Sequence, residues 1–258
     1  MMHNTFRIDC FPESALRCQD GFAVVAIDVI RATTTAVTAS TLGLRCYPVG
    51  SLEDALRVAA RLDHPLLAGE INGVKPAQFH MNNSPAALLE LSDKTRPLVL
   101  LSSSGTRLML NAAACDVAYL ACFRNSSATA DRLIKENYSR IALLGAGTRG
   151  EFREEDQIGC AWIGARLMRA GYRPENEATA RVLSRWTSAK ATDCLVSGSV
   201  NYLRRSNQED DLRFILERID DLYDAFILRN GQVAMVAPEV PQPESVGTPG
   251  FYGSTIPA

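Results

Sequence analysis

The segment Phe22-Ala-Val-Val-Ala-Ile-Asp-Val-Ile-Arg-Ala-Thr-Thr-Thr35 runs a short apolar strand into a polar loop. The same pattern returns in Leu98-Val-Leu-Leu-Ser-Ser-Ser-Gly-Thr-Arg107 and in Ile141-Ala-Leu-Leu-Gly-Ala-Gly-Thr-Arg149. Each continuous apolar run predicts a parallel strand that is buried on both faces. In open α/β sheets ligands bind beyond the carboxyl ends of such strands, and a helix N-terminus there favours anions. The three loops, each with an arginine, therefore predict an oxyanion site that favours phosphate.

Helical patterns alternate with these strands, which predicts an α/β fold of three layers around a largely parallel sheet. Ser51, Ser84 before Pro85, and Ser126 or Ser127 are expected to begin helices. An Asn-Gly turn is expected to join two short strands within residues 225–236, whereas residues 194–206 give no clear pattern. We expect one α/β unit over residues 1–237, either undivided or in two lobes that divide near residues 125–150. Residues 238–258 form a Pro- and Gly-rich tail.

Composition excludes several classes of function. The chain has 258 residues, a net charge of −2 and 47% hydrophobic residues, so it lacks the basic surface expected for nucleic acid or anionic membranes. It shows no membrane-length apolar run and no signal-peptide core, and a cytoplasmic location is expected. Seven scattered cysteines without a C-x-x-C pair, and only three histidines, argue against zinc sites and disulfide frameworks. A homo-oligomer is left open.

Three carboxylates lie at the predicted ends of strands or starts of helices, where catalytic residues are expected. Asp28 follows the first strand, and its carboxylate suits Mg²⁺ binding or attack on phosphorus; it equally suits a helix cap or a partner for Arg31. Glu70 ends another short strand and suits a metal ligand or general base, or else an exposed loop position. Asp156 begins a helix, where acidic residues also occur for dipole reasons alone.

Arginines and hydroxyls surround these carboxylates in the sequence. Arg31, Arg107 and Arg149 are candidate anion clamps, because guanidinium groups pair bidentately with phosphate and carboxylate. Salt bridges at the sheet edge are the alternative for each. Hydroxyls of the Ser102–Ser104 run and of Thr106 either bind the same anion or satisfy loop amides.

Two common phosphate-binding motifs do not explain the pattern. The run Gly145-Ala-Gly-Thr-Arg-Gly150 fits G-x-G-x-x-G, but the charges that follow it oppose the close helix packing of a dinucleotide fold. There is no G-x-x-x-x-G-K-[ST] sequence, which argues against a P-loop NTPase.

Several segments together resemble one family, the 2-phosphosulfolactate phosphatases of coenzyme M biosynthesis, from about Ala26 to Ile163. The segments that carry the resemblance are Ile27-Asp-Val-Ile-Arg-Ala-Thr-Thr-Thr35, Gly69-Glu-Ile-Asn-Gly73, Asn83-Ser-Pro85, Gly105-Thr-Arg107, Asn125-Ser-Ser-Ala128 and Gly147-Thr148 with Glu155-Asp156. Their order and spacing are specific as a set, although no single segment is.

The resemblance implies a Mg²⁺-dependent phosphatase that acts on a small acidic phosphate monoester, 2-phosphosulfolactate or a related 2-phospho acid. Asp28, Glu70 and Asp156 are the expected catalytic residues and metal ligands. The expected substrate-binding residues share positions in the resembling loops and are Arg31, Thr33, Thr34, Asn83, Ser84, Ser104, Gly105, Thr106, Arg107, Asn125, Gly147, Thr148 and Arg149. The attacking group is either a metal-bound water or a carboxylate such as Asp28.

Three positions depart from the family pattern. Ile71 stands where the family usually has Arg, Ser104 replaces an Asn, and His80 replaces an Asp. The loss of a cation at position 71 bears on the sulfonate specificity, and the substrate is left open between the sulfonated acid and other phospho acids. A non-catalytic or weakly catalytic protein that binds a small anionic metabolite is the alternative function.

Overall fold

The apolar runs of the sequence become strands of a ten-stranded, largely parallel sheet in the computed structural model, which describes residues 4–236. The strands are β1 Thr5–Cys10, β2 Ala23–Ile27, β3 Cys46–Val49, β4 Leu66–Gly69, β5 Leu98–Leu101, β6 Val117–Ala121, β7 Arg140–Gly145, β8 Arg173–Pro174, β9 Phe226–Arg229 and β10 Gln232–Met235. Their order across the sheet is β4-β5-β3-β10-β9-β6-β2-β7-β1-β8.

Helices cover both faces of this sheet. They are α1 Ala32–Thr41, α2 Leu52–Ala59, α3 Pro85–Leu89, α4 Gly105–Ala112, α5 Ser126–Glu136, α6 Glu154–Arg169, α7 Glu177–Trp186, α8 Gly198–Arg205 and α9 Glu209–Glu217, with 3₁₀ helices at Pro12–Arg17 and Ala191–Val196. The three-layer α/β architecture predicted from the sequence is confirmed.

Strand β2 shows why its sequence reads as a continuous apolar run. Side chains alternate between the two faces of a strand. Val24 and Ala26 pack into the core that contains Leu108 of α4, whereas Val25 and Ile27 pack into the opposite core with α6. Every residue of β2 is buried. Since both faces are covered, neither set of alternating positions can be polar.

The antiparallel hairpin of β9 and β10 lies inside the sheet. It pairs with β6 on one side and with β3 on the other, while the remaining neighbouring strands are parallel. The two short strands predicted around Asn230 and Gly231 are therefore confirmed, and they join two parallel parts into one sheet. The predicted division near residues 125–150 stays a prediction, and the tail at 238–258 lies outside the described residues.

Two predicted helix caps are confirmed and the third is wrong, although α5 does begin at Ser126. The Ser51 hydroxyl accepts from the N–H of Asp54 at the start of α2, and the Ser84 hydroxyl accepts from Ala87 at the start of α3. Neither Ser126 nor Ser127 caps α5. The side chain of Asp220 accepts instead from the N–H of Ser127 at 2.8 Å, and from its hydroxyl at 2.7 Å.

The region without a clear pattern, residues 194–206, contains the end of the 3₁₀ helix Ala191–Val196 and all of α8. Ser197 is fully buried, and its hydroxyl accepts from the N–H of Val200 to begin α8. Val200 and Leu203 fix one face of this short helix in the core. Among residues 4–236 no helix combines the length and the hydropathy that a bilayer crossing requires.

A glycine at the end of β4 is expected to be required for the sheet. Gly69 has a φ of +149°, and a Cβ atom there would lie 2.1 Å from the carbonyl oxygen of Leu101 in β5. We predict that Gly69→Ala lowers the free energy of unfolding by about 3 kcal/mol, because backbone strain and overpacking act together. Urea denaturation measures the change.

The matched control is Gly43→Ala, where φ is +88° but nothing lies within 4 Å of the added Cβ. This variant tests the backbone strain without a steric contact, so we expect its free energy of unfolding to fall by about 1 kcal/mol. Equal losses for the two variants would contradict the role assigned to the contact with β5.

Candidate active site

A cavity of about 450 Å³ opens at the carboxyl edge of the sheet. Loops that follow β2, β4, β5 and β7 contribute to its lining, together with one face of α8. Parallel strands bring these loops to one edge although they are distant in sequence. The predicted site therefore forms from several of the loops that carry Gly, Ser, Thr and Arg.

Asp28 lies on the cavity wall, directly after β2, and is 7% exposed. Its backbone is fixed by Thr33, whose hydroxyl accepts from the Asp28 N–H at 2.9 Å. Its carboxylate accepts a hydrogen bond from the N–H of Ala32 at the start of α1. On the other side it lies against Gly105, where a Cβ atom would be 2.0 Å from Oδ2. Asp28 thus lies between the N-termini of α1 and α4.

The ionisation of Asp28 is strongly perturbed. Burial is the main cause that raises its pKa from 3.8 to about 7, and the charges of Glu70 and Glu155 act in the same direction. The Ala32 N–H and the Arg31 guanidinium lower this pKa by smaller amounts. A carboxyl group with such a pKa is suited to proton transfer near neutral pH.

Glu70 lines the same cavity and organises two of its loops. Its Oε1 accepts from the N–H of Ser103 at 2.8 Å, and its Oε2 accepts from the N–H of Gly73 and the hydroxyl of Ser103. Asn72 in turn donates its N–H to the Ser103 hydroxyl. The alternative of an exposed loop glutamate is therefore wrong, because the carboxylate joins the loop after β4 to the loop after β5.

Asp156 lies just behind the cavity lining. It is 3% exposed, and its Oδ1 accepts from the N–H of Val29 at 2.9 Å. Its carboxylate also accepts from the N–H of Gly147. Burial is the main cause that raises its pKa well above the usual value, and the nearby charge of Asp28 adds to this. Asp156 therefore connects the loop after β2 to the loop after β7.

Arg31 lines the cavity but is already paired inside the protein. Its guanidinium donates to Asp211 at 2.5 Å and also to the side chain of Gln208. Both members of the ion pair are 3% exposed. The Ser84 hydroxyl donates to the other oxygen of Asp211. The expected alternative of an ion pair is confirmed for Arg31, with Asp211 as the partner.

Four more guanidinium groups line the cavity. Arg107 pairs with Glu13 at 3.0 Å, and Arg153 pairs with Glu151 at 2.5 Å. The guanidinium groups of Arg149 and Arg205 make neither an ion pair nor a hydrogen bond with any residue from 4 to 236. The cavity therefore presents cations whose charge is not neutralised by the part of the protein described.

The structure brings half of the predicted site residues to the cavity lining. These eight residues are Asp28, Glu70, Arg31, Asn83, Ser104, Arg107, Thr148 and Arg149. Asn83 is 2% exposed, and its Oδ1 has no hydrogen-bond partner in the described part of the chain.

The other eight residues lie outside this lining. They are Asp156, Thr33, Thr34, Ser84, Gly105, Thr106, Asn125 and Gly147. Their side chains and backbone hold the loops: the Thr106 hydroxyl donates to the Ser102 carbonyl, and the Asn125 amide donates to the Leu120 carbonyl. Direct substrate contact by these residues does not follow from this geometry.

Sequence reasoning missed the contribution of α8. Ser199, Tyr202 and Arg205 line the cavity, and they occur in the segment for which no pattern was found. Ile71 lies in an adjoining recess with Ser51 and Leu52. In the sequence, α8 is marked only by Ser197, a residue type that commonly caps helices. Other serines of the chain have the same property, so Ser197 does not by itself predict a helix.

The expected set of three metal ligands is not assembled. Within residues 4–236 no three His, Cys, Asp or Glu side chains lie together as a metal site would require. Asp156 is the member that fails to reach the cavity, because its carboxylate binds the backbone of Val29. Two carboxylates, from Asp28 and Glu70, remain at the cavity surface.

Comparison with known proteins points in one direction. A family model described as 2-phosphosulpholactate phosphatase matches residues 11–227. A protein of Symbiobacterium thermophilum named probable 2-phosphosulfolactate phosphatase is 33% identical over 226 residues, which cover 84% of this chain and 95% of that protein.

Proteins of the same name from Carboxydothermus hydrogenoformans and Parasynechococcus marenigrum match shorter segments. The first is 35% identical over 154 residues, 59% of this chain and 63% of that protein. The second is 35% identical over 149 residues, 56% of this chain and 61% of that protein. This chain thus aligns with less than two thirds of the length of these two relatives.

The buried carboxylate of Asp28 is expected to destabilise the protein as pH rises. Because its folded pKa of about 7 lies above the ordinary 3.8, the folded state retains a proton that the unfolded chain releases. The loss of stability begins near pH 4 and levels off near pH 7. Asp28→Asn should remove this pH-dependent loss. The unfolding free energy of the variant should therefore exceed that of the parent by about 2–3 kcal/mol more at pH 8 than at pH 5.

Urea denaturation in the presence of a chelator measures both values. Asp63→Asn is the matched control, since the Asp63 side chain is 93% exposed. A gain for Asp28→Asn that is the same at both pH values would contradict this assignment.

Proposed function

Because this chain belongs to the 2-phosphosulpholactate phosphatase family, we propose that it hydrolyses the phosphate ester of a small acid, with 2-phosphosulfolactate as the leading candidate. The observation that carries this proposal is the composition of the cavity. Five arginines and the carboxylates of Asp28 and Glu70 line one space of about 450 Å³. Such a cavity suits a small substrate with several negative charges.

The N-terminus of α4 supports a place for the phosphate group. The first N–H groups of a helix lack partners within the helix and favour anions. Ser104 precedes this helix and lines the cavity, and Gly105 brings its backbone against the Asp28 carboxylate. A phosphate bound there would lie next to the carboxyl group whose pKa is shifted towards neutrality.

Mg²⁺ fits the oxygen groups at this position and is part of the proposal. Asp28 and Glu70 would hold it, and Asn83, which also lines the cavity, has an unpartnered Oδ1 that would supply a third oxygen. Mg²⁺ is commonly bound by one or two carboxylates together with substrate phosphate oxygens. When bound, it would neutralise charge on the phosphate ester. Asp156 is reassigned from ligand to positioning residue, because it holds Val29 beside Asp28.

Asp28 is the proposed group that acts on the phosphate. Its ionised carboxylate would either attack phosphorus directly, which breaks the ester P–O bond and forms an aspartyl phosphate that water then hydrolyses, or take a proton from an attacking water. In both cases the departing alkoxide takes its proton from solvent. Its contacts with Ala32 and Gly105 hold it at one position. Arg149, in the loop after β7, would bind the non-bridging phosphate oxygens.

The test is turnover of 2-phosphosulfolactate by protein that has been dialysed against a chelator. We expect phosphate release after Mg²⁺ is restored, and a decrease in kcat of at least about 10³ for Asp28→Asn. Asp63→Asn should keep the parent rate. Calorimetric binding of the substrate without any turnover across a series of divalent metals would instead favour a binding protein.

Arg149 and Arg31 are expected to differ in what their removal does. Arg149→Ala should lower kcat/KM by about 10- to 100-fold, roughly 1.4–2.7 kcal/mol, with little change in stability, because Arg149 has no partner in the described chain. Arg31→Ala should also reduce stability by about 3–5 kcal/mol, since it leaves Asp211 buried without its ion pair.

Kinetics and urea denaturation on the same preparations separate these two effects. Arg61→Ala, a change at an exposed position outside the cavity lining, provides the control for loss of an arginine. Unchanged kcat/KM for Arg149→Ala would remove Arg149 from the proposed site.

A further inference from the structure

One face of α8 forms the wall of the cavity that no motif in the sequence marked. Ser199, Tyr202 and Arg205 recur every three residues and line the cavity together. Residues with this spacing lie on the same side of a helix. Val200 and Leu203 are fully buried in the core, so the polar face of α8 is directed towards the cavity.

Two contacts fix the position of this face. The Tyr202 hydroxyl donates to the carbonyl of Gly73, which lies in the loop that begins with Glu70. Gly73 has a φ of +86°, and a Cβ atom there would lie 2.9 Å from the Tyr202 ring. Helix α8 is therefore held against the same loop whose backbone the Glu70 carboxylate binds.

A guanidinium group stands at each end of the face. Arg153 lies under Gly198, where an added Cβ would be 2.4 Å from Nη1, and it pairs with Glu151. Arg205 ends the helix without a partner among residues 4–236. The helix rise places the two ends about 10 Å apart. The neighbouring Arg204 instead donates to the Leu195 carbonyl and does not line the cavity.

We infer that this face of α8 binds the second acid group of the substrate, a carboxylate or sulfonate, and that Arg205 determines the preference for such substrates. The inference rests on the proposed function. The phosphate has its own candidate position at the N-terminus of α4 beside Asp28, on elements of the cavity lining other than α8. An anionic group elsewhere on the substrate then meets the unpartnered charge of Arg205. The Ser199 hydroxyl already donates to the buried carboxylate of Glu155, so Arg205 carries the assignment.

The experiment compares Arg205→Ala with Arg204→Ala on three phosphate monoesters. Ethyl phosphate has no second acid group, 2-phospholactate adds a carboxylate, and 2-phosphosulfolactate adds a carboxylate and a sulfonate. We expect Arg205→Ala to lower kcat/KM at least about tenfold for the acidic substrates, mainly through KM, and less than about twofold for ethyl phosphate. Arg204→Ala should match the parent on all three.

The pattern of losses identifies the group that is bound. Loss with both acids indicates the carboxylate, and loss with 2-phosphosulfolactate alone indicates the sulfonate. Arg205→Lys should recover part of the loss, because it restores charge without the planar guanidinium. Equal losses on all three esters, or equal effects of Arg204→Ala, would overturn the inference.

Calorimetric binding tests the inference independently of turnover. We expect Arg205→Ala to weaken binding of 2-phosphosulfolactate at least about tenfold relative to Arg204→Ala. If the parent binds this ligand without hydrolysing it, the proposed function fails while the role of Arg205 is still measured. Equal affinities for the two variants, or no binding by the parent protein, would overturn the inference.

Discussion

The site depends on one constraint, that parallel strands within a sheet end at the same edge. The loops after β2, β4, β5 and β7 therefore meet although more than a hundred residues separate the first from the last. Their polar groups are then arranged by hydrogen bonds between loops. The Asp156 carboxylate accepts from the N–H of Val29 and so links the segment after β7 to the loop after β2. The Glu70 carboxylate accepts from the N–H of Ser103 and so links the loop after β4 to the loop after β5. The cavity is the space that remains between these cross-connected loops.

The fold was predictable where the signal is local. Buried strands, the caps at Ser51 and Ser84 and the Asn230-Gly231 turn follow from short patterns, and the structure agrees with them. The failures concern partners that are distant in the chain. Asp220 replaces the predicted serine cap of α5 from 93 positions away, and Asp211 pairs with Arg31 from 180 positions away. No local pattern specifies such partners.

The candidate site was predictable to the level of loops but not of side-chain direction. A residue at the end of a parallel strand must lie near the active edge, and this was sufficient to find Asp28 and Arg149. Whether a side chain faces the cavity depends on tertiary contacts. Asp156, for example, accepts from the N–H of Val29, which lies 127 positions away. The polar face of α8 was not predicted, because its residues join the site only through contacts with distant segments, such as the contact of Tyr202 with Gly73.

The inserted hairpin has a consequence for synthesis of the chain. Strands β6 and β3 each leave an edge that only β9 and β10 fill, and these two strands come from Phe226–Met235, near the end of the described chain. As a chain leaves the ribosome, its N-terminal part emerges first. Both edges therefore stay unpaired until nearly all of the sheet has been translated, and unpaired edges invite association with other chains. Within the described residues, the last two strands to emerge close the gap between β3 and β6.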